Sequence, residues 1–319
     1  MWERCVATFS SVFQVAQAVE VIKMLLTESA ERKRERILKK GSEDCDEEEE
    51  ELMDDQNLQE EELLDEAASI VTALLKTDAQ VFMQHCTPIL NIYSAMLQAP
   101  DAADRRTALC VFDDIFENAI SFSIGFLPQF LPIYLQQAVD VDADVRQAAV
   151  YGLGVLAQHG GEAFAPHVLQ TAQALIAVIS KADSRSDASV MATDNAISAL
   201  TKVVVFQPNA VNLQELGPMW LSFLPVESDE VEARIVHAHL CTLTEANTPW
   251  LLGENYKHVP QLVSIFTKIV DGPLVDEPLQ HRVVAQLQRF RAQMPQELLQ
   301  AAWQSLSEAG RAKLQQYMT

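Results

Sequence analysis

Residues 144–161 read DVRQAAVYGLGVLAQHGG. Val145, Ala148, Ala149, Gly152, Leu153 and Leu156 fall on one face of a helix of period 3.6. Gly160 and Gly161 close the stretch, as glycine commonly does just past a helix end. A glycine inside a helix costs about 1 kcal/mol relative to alanine. Gly152 and Gly154 are therefore read as places where a neighbouring helix comes close. Helices with such stripes bury them against one another, which predicts a stacked array.

The same pattern recurs on both sides of this stretch. Ala67, Ile70, Val71, Leu74 and Leu75 form one stripe, and Ala108, Leu109, Phe112, Ile115 and Phe116 another. Leu262, Val263, Phe266, Ile269 and Val270 repeat it near the C-terminus. Residues 105–112 superpose on 146–153 at an offset of 41, and Ala149, Leu153 and Leu156 on Ala196, Leu200 and Val203 at an offset of 47. HEAT-type repeats run roughly 40–47 residues. Breakers divide the chain between stripes: Ala99-Pro100-Asp101, Val141-Asp142, Ala182-Asp183-Ser184, Pro225 to Asp229 and Asp271-Gly272-Pro273. They place helix pairs near 63–98, 102–139, 144–180, 187–224, 229–271 and 277–305, with a last helix near 307–318. No run alternates at period two for long enough to require a strand. The expected fold is all-α, a HEAT-repeat α-solenoid forming a right-handed superhelix of antiparallel helix pairs.

Three regions follow. Residues 1–40 read as one long helix from Trp2 to Leu38, the remnant of a preceding repeat. Residues 41–62 read as an acidic disordered loop or insert. Residues 63–319 read as about six HEAT-type pairs with a C-terminal capping helix. With no polar capping repeat ahead of it, the first helix suggests the C-terminal part of a longer solenoid. The charge supports the division. The 319 residues hold 23 Lys and Arg against 45 Asp and Glu, a net charge of −22. Fifteen of those acids lie in 41–66, which has no Lys or Arg. The basic run Arg32-Lys33-Arg34, Arg36 and Lys39-Lys40 sits just before, where cations suit a helix C-terminus. Gly41-Ser42 is the expected stop. The negative balance argues against nucleic acid and anionic membrane as ligands and favours a basic protein partner. No apolar stretch is long enough for membrane insertion.

Candidate chemistry does not converge. Gly152-Leu153-Gly154 lacks the lysine of a phosphate loop and the strand context of a dinucleotide turn. Asp113-Asp114 are adjacent, so they diverge by about 100° on a helix and read as a solvated pair. His237 and Cys241 share a helical face with no second ligand pair. Cys5, Cys45, Cys86, Cys110 and Cys241 contain no CxxC, which fits a reducing cytosol or nucleus. No catalytic, cofactor or metal residue is assigned, and the chain is read as a non-enzyme. The residues singled out for partner contact are Glu47, Glu48, Glu49, Glu50, Glu51, Asp54 and Asp55, with Asn195 as an inward amide and Trp220 as an aromatic grip. Trp220, Trp250 and Trp303 read first as packing residues at helix ends, and the peptide grip is the alternative.

Residues 111–115 and 145–161, with ATDNAISA at 192–199 and WLSFLP at 220–225, resemble the C-terminal repeats of importin-β-type karyopherins. Within that family they are most similar to the importin five (importin beta-three) branch. The long basic-ended helix followed by an acidic insert is similar too. The resemblance implies a nuclear transport receptor shuttling between cytoplasm and nucleus. It implies basic-signal cargo such as ribosomal proteins or histones, contact with Phe-Gly nucleoporins, and release by Ran-GTP. A generic HEAT scaffold or adaptor is the alternative reading of the same fold.

Overall fold

The structure is a computed structural model that describes residues 12–40 and 47–317. Trp2, Cys5, Cys45 and the expected Gly41-Ser42 stop lie outside these residues. Every regular element among the described residues is helical. Contacts divide the chain into two compact units, Met1–Gly152 and Leu153–Thr319.

The first unit begins with α1 (Val12–Lys40) and α2 (Glu47–His85). The expectation of a loop over 41–62 is corrected here, because α2 is already helical at Glu47. The reason is local. Met53, Leu64 and Ala67 recur on one face of α2 and are buried, and the neighbouring basic end of α1 pairs with Glu49, Asp54 and Glu60. Like-charge repulsion along one helix is thus offset by opposite charge across a pair. α2 is broken at Asp78, whose backbone is non-helical and whose carboxylate accepts from Val81 N at 3.0 Å.

α3 (Thr87–Met96), α4 (Ala102–Asn118) and α5 (Leu127–Gln137) complete the unit with the start of α6 (Ala143–His159). α1 packs on α2 and α3, and α4 packs on α2 and α3. Ile22, Leu26, Val71, Phe82, Tyr93, Leu109 and Phe116 are among its buried side chains. Each apolar side chain of this size contributes roughly 1.5–3 kcal/mol when buried. Helix starts are fixed by aspartates. Asp101 accepts from Ala103 N at 3.0 Å, and Asp142 accepts from Asp144 N and Val145 N at 3.0 Å. Such a cap is worth about 1 kcal/mol.

Asp113 is corrected from solvated to buried. Tyr134 donates to its Oδ1 at 2.6 Å, and the pair fits because α6 carries Gly152 there: a Cβ would stand 2.0 Å from Asp113 Oδ1. Asp114 is also enclosed; Thr72 donates to it, and burial raises its pKa.

The second unit holds the rest of α6, then α7 (Val168–Ile179), α8 (Val190–Phe206), α9 (Leu213–Ser222), α10 (Glu230–Glu245), α11 (Val259–Ile269), α12 (Glu277–Gln293), α13 (Gln296–Ser305) and α14 (Glu308–Tyr317). α8 packs on α7, α9 and α10; α10 packs on α12; α11 packs on α12, α13 and α14. Stacking of first helix on first helix and second on second is the repeat logic of HEAT pairs. Gly154 lies against α8, where a Cβ would meet Ala199 Cα at 3.0 Å. Long side chains tie one pair to the next. Gln207 donates to Ala157 O at 3.0 Å, Asn195 to Asp229 Oδ2 at 2.9 Å, Arg289 to Thr244 O at 2.7 Å and Lys313 to Val270 O at 2.7 Å.

Candidate partner-binding surface

The charged surface of the first unit is built where α1 meets α2. Arg32 holds Glu60 through two bonds, Nε to Oε1 at 2.6 Å and Nη2 to Oε2 at 3.1 Å. Arg36 Nε donates to Asn57 Oδ1 at 2.9 Å, Lys40 reaches Asp54 at 3.5 Å and Lys39 reaches Glu49 at 2.9 Å. As α1 advances, its partners on α2 retreat, so the two helices run antiparallel. Lys33 turns the other way and pairs with Asp101 at 2.5 Å and Asp104 at 2.8 Å, fastening α1 to the start of α4.

The buried end of this ladder is electrostatically distinct from its exposed end. The Arg32 hydrogen bond draws the Glu60 pKa down to about 2, against burial and with help from Ser29. Burial of Lys33 pulls its pKa down, and the Asp101 and Asp104 hydrogen bonds outweigh that and raise it. The exposed Lys39–Glu49 and Lys40–Asp54 pairs are the kind worth about 0–1 kcal/mol.

Of the residues singled out from the sequence, Glu47 opens α2, and its side chain lies outside what is described. Glu48, Glu50, Glu51, Asp54 and Asp55 are exposed, and Glu49 is half-buried beside Lys39. They wrap around two turns of α2 and offer a diffuse negative field rather than a convergent clamp. Asn195 and Trp220 belong to the second unit and are not available to a partner in this structure. Asn195 is buried and donates to Met191 O and Asp229 Oδ2, at 3.0 and 2.9 Å. Trp220 is fully buried, donates to Thr201 Oγ1 at 2.8 Å and meets Trp250 edge-on at 6.2 Å. Both are framework residues, because an interior amide or indole N–H needs an internal acceptor. Trp303 is exposed at the surface, and Trp250 is half-buried.

The cations of α1 that organise this surface were not singled out as site residues. Their signal was present in the sequence as a basic run abutting an acidic run, the composition that closes a charge-matched hairpin. Elsewhere, His237 is buried, accepts from Val226 N at 3.2 Å through Nε2 and is pulled down to about 4 by burial. Burial likewise raises the Cys86 and Cys241 thiols to about 11 and about 12, far from a reactive thiolate. Among the described residues no group of three or more His, Cys, Asp and Glu is placed to hold a metal ion. Among them no single helix is long and apolar enough to cross a membrane.

Comparison with known proteins matches this geometry to a family. Residues 9–99 match the family described as importin repeat 6. The chain is 28% identical over 203 residues to a probable importin-5 homolog of Dictyostelium discoideum, covering 60% of this chain and 19% of that protein. It is 25% identical over 243 residues to importin subunit beta-3 of Saccharomyces cerevisiae, covering 76% and 22%. The chain thus spans about a fifth of the length of these curated relatives. Among solved structures, the karyopherin Kap121p bound to the SUMO protease Ulp1p shares the fold with a TM-score of 0.74 at 19% identity, over 96% of this chain and 26% of that one. Kap121p bound to RanGTP gives a TM-score of 0.73 at 19% identity, over 96% and 26%. The chain is thus similar in sequence to importins of the importin-5 (importin beta-3) branch, and it shares the helical-repeat fold of the karyopherin Kap121p.

Proposed function

We propose that this chain serves as part of a nuclear transport receptor that carries basic-signal protein cargo through the nuclear pore. The observation that carries this reading is the exposed acidic face of α2, set on a paired-helix array whose sequence relatives are importins. A field of carboxylates attracts a lysine- or arginine-rich segment, speeds its encounter and leaves the complex sensitive to salt. Basic cargo of the ribosomal-protein or histone kind fits that chemistry. In the same reading the array makes weak contacts with Phe-Gly nucleoporins, Ran-GTP triggers release, and the protein shuttles between cytoplasm and nucleus. Kap121p, which shares the fold, forms complexes with RanGTP, Ulp1p, Pho4p and Ste12p. The residues proposed for cargo contact are Glu48, Glu50, Glu51, Asp54 and Asp55, with Glu47 at the helix start.

The test is fluorescence anisotropy of a labelled lysine-rich signal peptide against the full chain. The expected result is saturable binding at low salt that weakens steeply with added salt. Replacing Glu48, Glu50, Glu51 and Asp55 by their amides is expected to weaken it by about tenfold or more. Absence of binding at low salt, with helical circular dichroism intact, would sink the reading. A companion pull-down with Ran loaded with GTP or GDP tests the release step.

A further inference from the structure

A second surface of the first unit has the opposite chemistry. α1, α2 and the segment from α3 to the start of α4 enclose a groove of about 420 Å³, within the roughly 300–1,000 Å³ typical of ligand pockets. Ile92 and Met96 line it with apolar surface, over the buried Leu26, Met53 and Leu64. Four cations also line it, Lys33, Arg34, Arg36 and Lys40, against two carboxylates, Asp101 and Asp104. Lys33 occupies both carboxylates, Lys40 reaches Asp54 at 3.5 Å and Arg36 reaches Glu60 at 3.5 Å, so the exposed Arg34 carries the positive charge open to a ligand in a chain of net charge −22.

Two features among the described residues leave positive charge at this groove. Arg36 shares Glu60 with Arg32, so one carboxylate serves two guanidinium groups, and Arg36 Nη2 is buried with no hydrogen-bond acceptor among the described residues. A buried charged donor left in that state costs free energy. At the mouth, Arg34 is exposed beside Ile37 and Leu38, which are 65% and 68% exposed. Exposed aliphatic side chains next to an apolar groove are the mark of a contact surface rather than of a solvated face.

We infer that this groove docks an acidic, leucine-rich segment of a partner protein, with aliphatic side chains against Ile37, Leu38 and Met96 and carboxylates on Arg34. Apolar burial supplies the affinity, and the cations set the polarity of the partner. Such a surface is separate from the acidic face of α2 and selects ligands of the opposite charge. One chain then holds a basic segment and an acidic segment at different places.

The experiment uses the full chain and a fluorescein-labelled synthetic peptide in which glutamates alternate with pairs of leucines. Its counterpart carries lysine in place of each glutamate. The double variant R34E/I37E changes only exposed positions, so folding is expected to be preserved and is checked by circular dichroism and a thermal melt. The expected result is saturable anisotropy with the glutamate peptide, weakened about tenfold or more in R34E/I37E. M96E, at the groove wall, is expected to weaken it similarly. No binding of the glutamate peptide at low salt would overturn the proposal, as would binding unchanged in R34E/I37E. Sedimentation showing a dimer that R34E/I37E breaks would assign the groove to a second copy and would also overturn it. Binding of a lysine-rich signal peptide by R34E/I37E at wild-type strength is expected, which separates failure of this site from failure of the transport reading.

Discussion

The Tyr134 hydroxyl donates to Asp113 Oδ1 at 2.6 Å in a buried pocket that only the bare backbone of Gly152 leaves open. A tyrosine on α5, a carboxylate on α4 and a missing side chain on α6 therefore form one packing unit. The expensive glycine in the middle of α6 is explained by what stands opposite it. The pKa of Tyr134 lies well above its ordinary value, because burial and the Asp113 carboxylate both disfavour the phenolate.

Gly152→Ala tests that unit. Alanine favours a helix by about 1 kcal/mol over glycine. The added Cβ would fall 2.0 Å from Asp113 Oδ1 and 2.2 Å from Tyr134 Cε1, so the neighbours must move. Overpacking of this kind costs about 1–3 kcal/mol, and the clash is expected to win. Urea denaturation should show a net loss of stability, larger for Gly152→Val. A Gly152→Ala protein as stable as wild type would remove the close-approach explanation.

Trp220 distinguishes a framework residue from a ligand grip. Trp220→Ala is expected to cost about 3–5 kcal/mol, as large aromatic truncations in a core do. Trp220→Phe keeps most of the volume and loses the bond to Thr201 Oγ1, so a cost of about 1 kcal/mol is expected. Chemical denaturation of the two variants reads both numbers. A Trp220→Ala chain that keeps its stability and loses only peptide binding would restore the grip reading.

Glu60 gives the α1–α2 hairpin an acid limit. Its pKa falls from an ordinary 4.5 to about 2 in the folded state, chiefly through Arg32. The unfolded chain therefore binds the proton first as pH falls. The stabilisation is complete above 4.5 and is lost progressively toward about 2. Glu60→Gln should lie below wild type in unfolding midpoint at neutral pH and converge on it near the acid end of this window. Parallel pH curves for the two proteins would contradict the assignment.

His237 sets a second window at higher pH. Burial lowers its pKa from 6.5 to about 4, so the unfolded state takes up the proton before the folded state does. Stability is expected to decline between 6.5 and about 4 as pH falls, and His237→Gln should flatten that part of the profile. Thermal melts at closely spaced pH values separate this step from that of Glu60.

The helical class was legible because the stripes at Val145 to Leu156 and Leu262 to Val270 are long and strongly periodic. The breaks were legible too, since Asp101 and Asp229 close breaker segments and accept backbone N–H groups at the helix starts that follow. The acidic segment misled for a physical reason. Its local charge density argues for an open chain, and only the tertiary pairing of Arg32, Arg36 and Lys39 with Glu60, Asn57 and Glu49 reverses that. Asn195 and Trp220 were legible as unusual residues, yet their orientation depends on Asp229 and Thr201, which lie 34 and 19 residues away in sequence. No local pattern encodes such distances.

Four side chains that reach across to a neighbouring pair end on main-chain carbonyls: Gln137 on Leu97, Gln207 on Ala157, Arg289 on Thr244 and Lys313 on Val270. A carbonyl at the end of a helix keeps its position only while that helix stays wound. Each such bond therefore makes the integrity of one turn a condition for the anchoring of another. Within either unit, loosening is expected to travel in short steps, from a turn to the one strapped onto it.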